Sequence, residues 1–273
     1  MNTRRTDVPE GSRRPQLSDA WRIQRAVLHA LLMREILTRY GRRNIGFLWL
    51  FIEPMLFTLG VTAIWNYTKL LHGSDLPIAA FAITGYSSVL LWRNCANRCS
   101  TAVNPNLGLM YHRNVRPIDV FLARIILEIA GATATATFLT ILFAATGFME
   151  LPHDLGLAVV GWLFLAWLGG AIGLVVGCFS EHSDVADRLW HAFAYLFFPF
   201  SGAVYMVSWL PEGTQELALL IPTVHAIEML RAGYFGQDVV AHYSPLYLLA
   251  SCLLLTLTGF NMVAKLSRRL EFE

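Results

Sequence analysis

A chain of 273 residues that is 55% hydrophobic and only 15% charged, with a mean hydropathy of +0.49, is far more apolar than a soluble domain of the same length. The pattern is that of an integral membrane protein, and no nucleic-acid partner is expected. The net charge of +2 conceals nineteen arginines against two lysines, Lys69 and Lys265, and their positions carry the topology.

Residues 1–16, with Arg4, Arg5, Arg13, Arg14 and two prolines, read as a disordered cytoplasmic tail. Residues 17–43 read as an amphipathic interface helix that Ser18 caps. Trp21, Val27, Leu28, Leu31, Leu32 and Ile36 lie on one side, with Arg22, Arg25, Arg34 and Arg39 on the other. Residues 44–273 form the transmembrane domain. Its first span, Gly46 to about Asn66, is long enough at about 1.5 Å per residue to cross a ~30 Å hydrocarbon core.

Span two, Pro77 to about Trp92, continues into the polar Arg93, Asn94, Asn97 and Arg98 and projects beyond the lipid. A basic loop follows, with His112, Arg113 and Arg116 beside Pro117, whose ring breaks the preceding helix and opens the next. Span three runs from about Ile118 to Phe148. Span four, Leu155 to about Phe179, carries Gly161, Gly169, Gly170, Gly173 and Gly177; its two overlapping GxxxG patterns permit close helix approach, within the chain or at a dimer seam. After the acidic loop Glu181 to Asp187, Leu189–Leu210 is span five and Tyr247 to about Leu266 is span six.

Leu217–Phe235 has the length of a crossing, but Pro222, His225, Glu228 and Arg231 interrupt it. With six spans, eighteen basic residues fall on one side and two, Lys69 and Arg231, on the other, while Arg124 lies within span three. A seventh crossing would put Lys265, Arg268 and Arg269 outside and spoil that split. The predicted architecture is therefore an all-α integral membrane protein with six transmembrane helices, an N-terminal amphipathic interface helix and a re-entrant helical hairpin between spans five and six. Both termini are cytoplasmic. His225, Glu228 and Arg231, at three-residue spacing, share a face of the re-entrant helix.

A nucleotide-hydrolysing P-loop needs GxxxxGK followed by Ser or Thr, yet both lysines here precede Leu. HExxH, GxSxG and GxGxxG in a strand-to-helix setting are also absent, so the chain is not expected to be an enzyme or to hold a cofactor. Energy for transport must come from a partner or an ion gradient. Cys95 and Cys99 lie one turn apart without further ligands, so no metal site is expected, and with Cys178 and Cys252 they read as buried free thiols.

The intramembrane carboxylates are Glu53, about 10 Å into span one, and Glu128. An unpaired charge there costs a few kcal/mol, so pairing is expected among Glu53, Arg124 and Glu128, with Arg42 and Arg43 as further partners. Trp65, Tyr67, Trp162 and Trp167 read either as an interfacial belt or as flat surfaces for sugar rings in a wet conduit. Arg93 and Arg98 either guide an anionic glycan at the cytoplasmic entrance or simply obey the positive-inside rule.

Five stretches in order resemble the membrane subunit of ABC-2 class polysaccharide exporters, in the capsular polysaccharide branch. They are YGRRNIGFLWLFIEP at Tyr40–Pro54, YHRNVRPIDVFLAR at Tyr111–Arg124, SEHSDVADRLWH at Ser180–His191, SGAVYMVSWLP at Ser201–Pro211 and PTVHAIEMLRAGYF at Pro222–Phe235. The resemblance implies the type V exporter fold in a bacterial inner membrane and a homodimer exporting a lipid-linked acidic polysaccharide. Two ATP-binding cassette subunits would bind ATP and Mg, and periplasmic co-polymerase-like and outer-membrane proteins would complete the path. It further implies a coupling helix over Asn104–Arg116, with Asn104, Tyr111, His112, Arg113 and Arg116 as receiver, and an outer gate at His225, Glu228 and Arg231. Other lipid-linked polymers, O-antigen or teichoic acid, fit the same scaffold; an ion-coupled flippase and a non-transporting membrane assembly factor are rivals of other kinds.

Overall fold

The computed structural model describes residues 17–40, 45–68, 76–110 and 115–272, and every regular element among them is helical. The tail 1–16, Arg42 and Arg43, and Tyr111, His112 and Arg113 of the basic loop lie outside the described residues. The helices are α1 (Leu17–Tyr40), α2 (Ile45–Thr68), α3 (Ile78–Ser100), the single turn α4 (Leu107–Met110), α5 (Pro117–Ala145), α6 (Leu155–Ser180), α7 (Asp184–Leu196), α8 (Glu212–Ala218), α9 (Pro222–Phe235) and α10 (Pro245–Phe272). Among the described residues, α5, α6 and α10 are long and apolar enough to cross a membrane.

Local chemistry sets the helix ends. Pro117 opens α5, where its missing N–H is no loss, and Asp119 Oδ2 accepts the Arg116 backbone N–H at 2.9 Å. Asp154 caps α6 by accepting from Leu157 N at 2.9 Å. The chain turns after Ala145 through Gly147 at φ 77°, so α5 stops short of the expected Phe148.

Helix α6 is the centre of the fold, and glycine lets its neighbours approach. A Cβ on Gly169, Gly173 or Gly177 would lie 2.9, 3.1 or 2.5 Å from atoms of Trp92, Cys95 and Phe121 respectively, and Gly177 also meets the Cys99 carbonyl at 2.9 Å. The ascending register 92, 95, 99 against 169, 173, 177 makes α3 and α6 parallel. On the N-terminal half of α6, Gly161 meets Leu230, and Gly233 of α9 meets the Ala158 backbone at 2.3 Å, so α9 runs antiparallel to α6. Helix α10 is again parallel: Trp167 Nε1 donates to Thr256 Oγ1 at 2.9 Å, and Gly259 lies against Leu174. The GxxxG glycines are thus consumed inside the chain, which removes the dimer-seam reading. Gly177→Ala should destabilise by roughly 1–3 kcal/mol, through overpacking. Gly60→Ala, with nothing within 4 Å, should leave the unfolding midpoint in detergent level or slightly raised.

One expected span is not a single helix. Leu189–Leu210 is not a continuous crossing: α7 ends at Leu196, a 3₁₀ turn occupies Phe198–Ser201, Gly202 sits at φ 91°, and a second 3₁₀ turn covers Val207–Trp209. Pro199 and Gly202 break the helix. Thirteen residues at ~1.5 Å give α7 about 20 Å, which is short of a ~30 Å hydrocarbon core.

Candidate functional site

Two polar assemblies interrupt this apolar fold, one at each end. The first lashes α1 to the loop between α3 and α5. Leu31 is buried, and Val27, Leu28 and Leu32 pack on the same cluster, which fixes the face of α1 that meets the protein. Gln24 Nε2 then donates to Asp119 Oδ1, and Arg34 donates to Asn106 Oδ1 and, at 3.4 Å, to the Pro105 carbonyl. Asn106 is itself buried and donates to the Ala102 carbonyl at 2.7 Å. Arg34, expected on the polar outer face, instead reaches the loop, because the 3₁₀ turn Asn104–Asn106 presents an oxygen to it.

A second tier lies deeper. Arg124 Nη1 donates to the Arg98 carbonyl at 2.6 Å and to Thr101 Oγ1 at 3.3 Å, and its Nε is 2.8 Å from Glu35 Oε1. Arg98 Nε stands 3.3 Å from Glu128 Oε1. Glu53 takes a hydrogen bond from the Tyr86 hydroxyl at 3.3 Å. Among the described residues these three groups thus meet partners on α1 and α3, and the antiparallel course of α5 against α3 brings Arg98 to Glu128; Arg42 and Arg43, the further expected partners, lie outside the described residues. Asn104 and Arg116 flank the loop and are exposed; in its described part the 3₁₀ turn Asn104–Asn106 runs directly into the single turn α4, and residues 111–114 lie outside the described residues.

The described residues among those assigned to a conduit lie in separate places. Arg93 places its guanidinium 5.2 Å from the Tyr195 ring centroid on α7, whereas Arg98, on another face of α3, turns to α5. The Trp162 and Trp167 indole N–H groups are satisfied by Thr133 and Thr256, each at 2.9 Å. The side chains of Trp65 and Tyr67 lie outside the described residues.

At the opposite end, α9 brings His225, Glu228 and Arg231 into the protein interior, all buried. Arg231 Nη1 donates to the carbonyls of Gly202 at 2.9 Å and Tyr205 at 2.7 Å, and Nη2 to that of Ala203 at 2.5 Å. Its guanidinium carbon lies 3.7 Å from the Phe81 ring centroid. Glu228 accepts from the backbone N–H of Val207 at 3.0 Å and of His242 at 2.9 Å. His225 Nδ1 accepts from Ser244 N at 3.0 Å, and Nε2 lies 2.8 Å from the Leu219 carbonyl, which assigns the ring proton to Nε2. The broken segment after α7 and the linker before α10 are thus both held by one helix.

Sequence reasoning missed Gln24, Glu35, Asn106 and Asp119, whose partners are remote in sequence, and it missed Gly85, where a Cβ would lie 2.2 Å from the Ala203 carbonyl and 2.8 Å from Arg231 Nη2. A glycine in the middle of an apolar span was the available signal. At the C-terminal end of α6, burial pushes the Glu181 carboxyl above the ordinary carboxylate range, against the charges of Arg269 and His182.

Residues 26–235 match the family described as ABC-2 type transporter. The chain is 45% identical to the capsule polysaccharide export inner-membrane protein CtrC of Neisseria meningitidis serogroup B, over 91% of this chain and 94% of that protein. It is 40% identical to the capsule polysaccharide export inner-membrane protein BexB of Haemophilus influenzae over the same shares, and 29% identical to the polysialic acid transport protein KpsM of Escherichia coli over 84% and 90%. An all-helical fold with membrane-crossing helices, matched to one family over most of its length, places the chain in the ABC-2 type transporter family.

Proposed function

We propose that this chain is the membrane-spanning permease subunit of an ATP-driven exporter that moves a lipid-linked acidic capsular polysaccharide from the cytoplasm to the periplasm. The observation that carries the reading is its likeness, over nine-tenths of its length, to proteins named for capsule polysaccharide export at an inner membrane. Two copies would form the conduit, with two separate ATPase subunits docked below and periplasmic and outer-membrane proteins beyond. The chain supplies no catalytic group; ATP and Mg belong to the partner.

The parallel course of α3, α6 and α10, with α5 antiparallel to α3, supports six crossings with both termini cytoplasmic. In this arrangement α7 and the turns after it make up span five. The hairpin of α8 and α9 enters from the outer face: α9 lies along the outer half of α6 and ends at the loop before it, where Asp154 N donates to the Gly233 carbonyl at 2.8 Å. Asn104, Tyr111, His112, Arg113 and Arg116 receive the ATPase movement, and the lashing of Arg34 to Asn106 passes it to α1. His225, Glu228 and Arg231 brace the outer gate, and Arg93, facing α7, lines the entrance for the anionic glycan. A conduit rocks between two states only as far as ATP-driven closure binds them differently.

The deciding experiment is surface polysaccharide in cells carrying the partner ATPase with its Walker lysine replaced. Export should fall to background. Export that persists would sink the ATP-driven reading and leave an ion-coupled flippase in its place.

A further inference from the structure

One face of α3 carries a polar stripe through an apolar setting. Tyr86, Arg93 and Asn97 stand at i, i+7 and i+11, which sets them in line along the helix. Helix α2 meets the stripe at Tyr86: the Phe57 ring stacks on it with centroids 3.8 Å apart, and the hydroxyl donates to Glu53 Oε1 at 3.3 Å. Helix α7 meets it at Asn97 and Arg93. Trp190 Nε1 donates to Asn97 Oδ1 at 2.8 Å, and the Tyr195 ring centroid is 5.2 Å from the Arg93 guanidinium carbon. Glu53 is the one charged residue in the stretch 45–64, and it is exposed. A carboxylate on so apolar a run is costly to turn toward lipid, so this face borders water or protein.

The two charges are set apart, not neutralised. Among the described residues neither Glu53 nor Arg93 forms an ion pair. The Tyr86 hydroxyl serves both: its proton goes to Glu53, and the Arg93 guanidinium lies beside the same oxygen. A guanidinium has five N–H donors, more than one hydroxyl can use, so a planar fork remains that fits a carboxylate. Glu53 Oε2 has no hydrogen-bond partner among the described residues and is left as an acceptor for hydroxyl groups. Tyr195 is 66% exposed and offers a flat apolar ring beside the fork. Fork, acceptor and ring match the carboxylate, hydroxyls and apolar face of a sugar acid.

We infer that Arg93, Glu53 and Tyr195, with Tyr86 set between the two charges, form a subsite for one sugar-acid residue of the polymer, an assignment that rests on the export reading. Arg93 takes the carboxylate, Glu53 the neighbouring hydroxyls and the Tyr195 ring the face of the sugar. Glu53 makes the subsite selective, since it repels a second anionic group at the place where it accepts hydroxyls.

The test is saturation-transfer NMR on the full-length chain in detergent, titrated with methyl glucuronide, its neutral counterpart methyl glucoside, and acetate. Methyl glucuronide should bind roughly tenfold more tightly than either of the others. Arg93→Gln should bring the two sugars to within about twofold of each other. Tyr195→Ala should weaken both sugars and keep their ratio, and Glu53→Leu should weaken both sugars without weakening acetate. Equal binding of the two sugars by the unaltered chain, acetate binding as tightly as methyl glucuronide, or a sugar ratio unchanged by Arg93→Gln would overturn the subsite. If that variant fails to fold, the ranking of the three probes on the unaltered chain decides alone. The export reading fails separately: equal binding of the sugars leaves an ATP-driven exporter standing, whereas export that persists without the Walker lysine leaves the sugar ranking untouched.

Discussion

Arg231→Leu is expected to lower stability on the order of 3–5 kcal/mol, the cost of breaking a buried charged assembly by removing one member. The reason is in the count of partners. Gly202, Ala203 and Tyr205 turn their carbonyls inward because the segment after α7 is not helical there, and Arg231 alone supplies donors to all three. Each carbonyl left without a donor costs about 1–3 kcal/mol. Leucine would restore volume but none of the donors, and the face of the Phe81 ring would lose its cation. Lysine keeps the charge yet lacks the fork, so Arg231→Lys should recover part of the loss. Thermal unfolding followed by size-exclusion fluorescence orders the three proteins. A leucine variant with an unchanged midpoint would show that the segment from Gly202 to Tyr205 finds other donors, and the bracing role of α9 would be lost with it.

The same residue illustrates what could be read before any coordinates. Prolines, charge runs and the glycine series placed most helices, since each acts through its own neighbourhood: Pro117 opens α5, and Gly169, Gly173 and Gly177 mark the close side of α6. His225, Glu228 and Arg231 could be singled out by three-residue spacing within an apolar stretch. Their partners could not, because those are backbone carbonyls and amides, which every residue carries. The break within span five was hidden for a related reason. Its hydropathy suited a crossing, but Pro199 and Gly202 break the chain where Arg231 then satisfies the exposed carbonyls. The lashing of α1 was legible only as a surplus of arginine. Its specificity lies in pairs such as Arg34 with Asn106, brought together by the packing of α1 on α5.

Arg34→Ala should produce the opposite separation of effects: export lost, fold retained. Arg34 lies outside the buried cluster that α3, α6 and α9 build, so its removal leaves the packing around Gly161, Gly169 and Gly177 intact. What disappears is the charged hydrogen bonding of α1 to Asn106 and Pro105. Contacts of that class contribute about 1.5–3 kcal/mol, a factor of roughly 10–100 in the docked population of α1. If α1 moves with the loop, that factor appears as a comparable fall in export, while ATP hydrolysis by the proposed ATPase partner continues without productive transport. Asn106→Ala should do the same, and the double variant should add little to either, because both remove one shared contact. Export and the unfolding midpoint falling in proportion in all three variants would make the lashing a matter of stability alone. Additive losses of export would place Arg34 and Asn106 on separate routes and remove α1 from the path by which the loop acts.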